Sequence, residues 1–156
     1  MKIVGGLLIL AIGVLVGILS SQLYVEGVQV PAGSGIERSS PGDHVPEEGI
    51  QLFDHGVYIA LDDPQWARFA DTNSMDPVLD RGTNAIQIKP SSPDQIAVGD
   101  IITYERGENF IIHRVIEKGI DEDGVYFIVK GDNSINPDPG KVRFSQITRL
   151  TVALVY

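Results

Sequence analysis

At 156 residues, 43% hydrophobic and 21% charged, the chain holds material for one domain of ordinary size plus something extra. A formal net charge of -9 argues against nucleic acid or anionic lipid as partners drawn in by long-range attraction. The lack of any cysteine excludes disulfides, thiolate catalysis and cysteine zinc sites.

The extra material is at the front. Lys2 is the only charge before Glu26, and the uncharged run 3–25 would extend about 35 Å as a helix, enough to cross a bilayer. A cleaved secretory signal would have a shorter apolar core ending in a small-x-small site, so residues 1–25 are expected to form an uncleaved transmembrane anchor. With Lys2 before the span and Glu26 after it, the positive-inside rule places the N-terminus in the cytoplasm and the rest outside. Residues 26–49 are rich in Pro, Gly, Ser and charge without an apolar period, and read as a flexible linker.

From residue 50 to 156 the pattern predicts a mainly β domain. Short runs rich in β-branched and aromatic residues fall at 57–61, 66–70, 85–88, 101–104, 110–117, 125–130 and 147–156, separated by turn clusters. Asp121-Glu-Asp-Gly124 reads as a hairpin turn, and Val98-Gly-Asp100 as a turn opening the next strand. The acidic turn lacks the ligand spacing of a calcium loop, and neither a metal nor a cofactor is expected.

Three places along this domain carry candidate chemistry. Ser74 lies in Asp71-Thr-Asn-Ser-Met-Asp-Pro-Val-Leu79, with a polar run before it and Pro77 stiffening the backbone after it. The same residue types also make ordinary loops. His113 lies in Phe110-Ile-Ile-His-Arg-Val-Ile116, where period two puts it beside Ile111 and Val115, with Arg114 on the other face among Phe110, Ile112 and Ile116. An imidazole held in an apolar wall is either a satisfied core histidine or a general base kept neutral near pH 7. His44, in the linker, and His55, at the domain edge, lack such a setting. The third place is Val129-Lys-Gly-Asp-Asn-Ser134 with Asp138 beyond it, where either Asp132 or Asp138 could orient an imidazole and stabilise its cation. Asp132 begins a turn where an Asx side chain readily bonds its own backbone, whereas Asp138 is fixed between Pro137 and Pro139.

Taken in order, the anchor, Ser74-Met-Asp-Pro-Val-Leu79, Gly99-Asp-Ile-Ile-Thr-Tyr104, Ile112-His-Arg-Val-Ile116 and Lys130-Gly-Asp-Asn133 resemble type I signal peptidase. The resemblance covers residues 66–156 and is to the archaeal and endoplasmic-reticulum branch, where histidine stands in place of the bacterial lysine base. It implies Ser74 as nucleophile, His113 as general base, Asp138 or Asp132 as the orienting carboxylate, with Asp138 the better match, and an oxyanion site made by the Thr72 hydroxyl and the Ser74 backbone N–H. It also implies a signal-peptidase-like β fold with a groove that takes an extended peptide by strand addition, and preproteins as partners. The chain departs from the family's pattern at Thr72-Asn73, where Ser-Gly is usual, at Arg81-Gly-Thr-Asn-Ala85, and in its long spacer before Ser74. Asn73 is the non-glycine residue best suited to a left-handed backbone.

The expected function is thus a membrane-anchored serine endopeptidase acting outside the cytoplasm on signal peptides. Three alternatives share the fold: a protease dedicated to a different substrate, an inactive relative that only binds peptides, and a self-cleaving repressor. The last is opposed by His113 at the base position and by the acidic, membrane-led chain.

Overall fold

The computed structural model describes residues 38–156. The expected anchor at 1–25 and the first part of the linker lie outside the described residues. No α-helix occurs among the described residues. The described residues form nine strands: β1 (Ile50–Phe53), β2 (Gly56–Ile59), β3 (Gln65–Arg68), β4 (Asn84–Ile88), β5 (Ile101–Arg106), β6 (Asn109–Asp121), β7 (Gly124–Lys130), β8 (Val142–Arg143) and β9 (Ile147–Val155).

Strands β1 and β2 form a separate hairpin. The other seven make one antiparallel sheet in the order β3-β4-β9-β5-β6-β7-β8. The Asp121-Gly124 turn joins β6 to β7, with Gly124 at φ 99°, a value that glycine adopts without strain. Register shifts at Ile86/Gln87, Thr103/Tyr104 and Val115/Glu117 break the ladders of β4 with β9, β5 with β9, and β6 with β7. Such irregularities bend and twist a sheet locally. Here β3 and β6 line one cleft although three strands separate them in the sheet order.

Alternation along the strands divides the apolar residues between two clusters. Ile102, Tyr104, Val115, Phe127, Val129 and Leu150 belong to the larger one, with Ile111 packed against it. Ile101, Met75 and Leu79 form the smaller one, joined by Ile112 and Leu154. Neighbours along β5 and β6 thus serve opposite faces, and the middle of the sheet is covered on both sides. His113, on the same face as Ile111 and Tyr104, is 9% exposed.

The described end of the expected linker is not a spacer. Asp100 is fully buried, and its carboxylate accepts the Gly42 N–H at 2.8 Å and the Ala97 N–H at 2.8 Å while lying 2.9 Å from His44 Nε2. A buried carboxylate needs such partners, and three of its four contacts here reach back into the stretch before residue 50. Gly99, at φ 104°, lets the chain pass: a Cβ there would sit 2.1 Å from the Ser40 carbonyl oxygen. Residues 38–49 therefore belong with the β domain, and His44 has a buried carboxylate partner that its position in a polar, Pro-rich stretch did not announce.

Candidate active site

Ser74 is held by the residues on both sides of it. Met75 and Leu79, each 2% exposed, peg the loop into the smaller apolar cluster. The Val78 and Leu79 N–H groups both donate to the Met75 carbonyl, at 2.9 and 3.0 Å, closing a tight turn behind Ser74. Asn73 has φ 55°, the left-handed conformation that asparagine tolerates best among residues with a Cβ. Thr72 and Ser74 come out on one side of this bend, with their hydroxyl oxygens 3.2 Å apart.

The segment 131–134 clamps this loop from outside. Asn133 donates its backbone N–H to the Ser74 carbonyl at 2.9 Å and its side-chain amide to the Asn73 carbonyl at 3.0 Å. The Asp132 N–H points at Met75 Sδ, 3.4 Å away. Gly131 fills a slot with no room for a side chain: its Cβ would lie 2.5 Å from the Ser74 carbonyl oxygen, 2.5 Å from Ser134 Oγ and 2.9 Å from His113 Nε2. One missing methyl group thus sets the Ser74 loop and the His113 ring against a common neighbour. Among the described residues no hydrogen bond joins Ser74 Oγ to His113.

The other ring nitrogen is engaged. His113 Nδ1 lies 2.6 Å from Asp138 Oδ2, with both side chains largely buried. Asp138 is held in turn by its own N–H, which donates to the Val129 carbonyl at 2.9 Å, and by Tyr104, whose hydroxyl donates to Oδ2 at 2.5 Å. Burial first, and then the adjacent Asp138 carboxylate, push the Tyr104 phenol far above its ordinary range. It is therefore a neutral donor at any working pH.

Asp132 has a different set of partners. Its two carboxylate oxygens receive Nε and the terminal nitrogen of Arg114 at 2.8 and 2.7 Å, a two-pronged pair that is buried. Arg38 approaches from the other side, with Nε 3.4 Å from Oδ1, and also donates to the Asp132 carbonyl. Arg114 donates as well to the Gly99 carbonyl at 2.7 Å. So of the two candidate carboxylates only Asp138 touches the imidazole. Asp132 is engaged as expected, but by arginines and not by its own backbone.

A cleft of about 400 Å³ opens beside Ser74. One wall is Ala67, Arg68, Phe69 and Ala70, the other is Phe110, Ile111 and Ile112, and Gln87 and Thr103 complete the lining with Thr72, Ser74, Met75 and Leu79. β3 is a sheet edge, so its outer backbone groups are available for pairing with an added strand. His113 is not among the residues that line the cleft. Among the described residues no cluster of histidine and carboxylate side chains suits a metal ion.

The structure thus gathers Ser74, Thr72, His113 and Asp138 in one neighbourhood and sets Asp132 behind it on an arginine. Sequence reasoning assigned no role to Tyr104, Asn133 or Arg114, although each belongs to a quoted motif, because their partners are brought up only by pairing of β5 with β6 and by the turn after β7. Compared with family models, curated proteins and solved structures, the chain matches none.

Proposed function

We propose that this protein is a membrane-anchored serine endopeptidase of the signal-peptidase type, cleaving signal peptides from exported preproteins outside the cytoplasm. The observation that carries the reading is the 2.6 Å contact between His113 Nδ1 and Asp138, which leaves the opposite ring nitrogen beside the Gly131 slot shared with the Ser74 loop. In this reading Ser74 Oγ attacks the scissile carbonyl as His113 Nε2 takes its proton, and Asp138 stabilises the imidazolium. The carbonyl oxygen becomes an oxyanion, with the Ser74 N–H and the Thr72 hydroxyl as its donors. Collapse of the tetrahedral species breaks the C–N bond, and the proton on His113 passes to the leaving amine. Water then attacks the acyl carbon as His113 takes its proton, and collapse of this second tetrahedral species breaks the bond to Ser74 Oγ, which recovers the proton from His113 as the carboxylate product leaves.

An extended peptide in the cleft would pair with β3 on one side and with the chain near Phe110 on the other. The anchor expected at 1–25 would keep this cleft close to the bilayer from which a signal peptide emerges.

A second reading is favoured by one observation: the oxygen nearest to Ser74 Oγ in a hydrogen bond is Thr72 Oγ1, and His113 is not bonded to it. A relative that binds peptides without cutting them would have this arrangement, whereas catalytic hydrogen bonds in unliganded enzymes also often tighten only when substrate is bound. Reaction of Ser74 with a fluorophosphonate probe separates the two. Labelling that disappears in His113→Ala supports the peptidase, and a serine inert to the probe while the cleft still binds peptide supports the binder.

A further inference from the structure

Asp138 Oδ2 is shared. It receives His113 Nδ1 at 2.6 Å and the Tyr104 hydroxyl at 2.5 Å, from adjacent strands of one sheet face. Tyr104 is 2% exposed and belongs to the main apolar cluster, so its ring is fixed by packing before its hydroxyl reaches the carboxylate. We infer that Tyr104 is a positioning residue for the catalytic pair: it holds the Asp138 carboxylate in place and withdraws part of its charge from His113. Its catalytic consequence rests on the peptidase reading, but its effect on the imidazole does not.

The physical argument concerns how one carboxylate oxygen divides its attraction. With Tyr104 present, the lone pairs of Oδ2 are spread over two donors, and the imidazolium formed during reaction is stabilised less than by an unshared carboxylate. Removing only the phenolic hydroxyl concentrates the charge on His113, so the imidazole should hold its proton to higher pH. Arg106 lies farther along β5, near the Tyr104 hydroxyl, and donates to the Pro139 carbonyl. β7 contributes the Val129 carbonyl, and β9 contributes Ile147, paired with Tyr104. Arg114, next to His113 on β6, is paired with Asp132 from the turn after β7.

The test is an NMR titration of the full chain in detergent micelles, with ring-labelled histidine and His113 assigned from the spectrum of His113→Gln. In Tyr104→Phe the His113 midpoint should rise by about half a pH unit or more relative to the unaltered chain. The acidic limb of kcat/KM should move the same way, so that below the midpoint the rate falls ~3-fold beyond any loss at the plateau. Placing 3-fluorotyrosine at position 104 keeps the shape and strengthens the donor, and should move both readouts in the opposite direction. This second variant decides the matter if Tyr104→Phe does not fold. A His113 midpoint that stays put or falls in Tyr104→Phe, or that does not respond to the fluorinated ring, overturns the inference. Absence of cleavage by every form of the protein would instead defeat the peptidase reading, leaving the titration to decide the role of Tyr104.

Discussion

Replacing Asp138 by Asn removes the charge that faces His113 while keeping the side chain's size. Turnover is expected to fall by about 10³- to 10⁴-fold with the fold preserved, because an amide neither stabilises the imidazolium nor enforces the correct tautomer. Asp132→Asn should act differently. It leaves the buried Arg114 guanidinium without a counter-charge and is expected to cost about 3 kcal/mol of stability, with activity reduced through loosened geometry. Steady-state kinetics and thermal melts on both variants check this, and a folded but inactive Asp132→Asn beside an active Asp138→Asn would reverse the two roles. Thr72→Val, which deletes a hydroxyl 3.2 Å from Ser74 Oγ, should lower kcat by about 100-fold with little change in KM. Equal turnover in Thr72→Val and the unaltered protein removes Thr72 from the chemistry. The candidate roles of Ser74, His113 and Asp138 were readable as residue types in ordered boxes. That Asp138 and not Asp132 meets the imidazole depends on where the turn after β7 points each carboxylate, and no local pattern states that.

At the scale of elements, the β6-β7 hairpin is closed by an exposed ionic clasp. Asp121 meets Arg143 at 2.8 and 2.9 Å and Lys141 at 2.5 Å, and these contacts, Arg143 first, hold its carboxyl well below the usual carboxylate range. A depressed carboxylate contributes stability above its unfolded pKa of about 4 and loses that contribution as pH falls through its folded value. Asp121→Asn should therefore melt a few degrees lower at pH 7, and the gap should narrow as the pH is taken well below 4. A gap independent of pH would mean that the clasp acts through packing and not charge. Strands such as β5 to β7 were legible because alternation and β-branched residues coincide in them. β1 was not, since Leu52 and Phe53 are exposed and only pairing with β2 organises them. β8 is two residues long, too short for any period to show. The stretch before residue 50 looked like a spacer because its partner, Asp100, is 56 residues away from His44 in sequence.

For the whole molecule, the composition divides the chain between an apolar front and an acidic domain, and the proposed topology rests on that division. The protein should remain with membranes after carbonate extraction, and protease added to intact cells should reach the domain at 38–156. A mature chain that begins near Gly27 and washes off the membrane would contradict the anchor. The sheet order could not be read from the sequence, because the passage from β4 to β9 to β5 depends on long-range pairing and has no local signal. The proposed role of Ser74 in cutting exported preproteins is open to a direct test, incubation of the detergent-solubilised full chain with a panel of preproteins followed by mass spectrometry of the products. That role requires discrete cuts at the ends of signal peptides, after small residues, by the unaltered protein and none by Ser74→Ala. Cuts made equally by Ser74→Ala, or intact preproteins throughout while the cleft still binds their signal peptides, would contradict it.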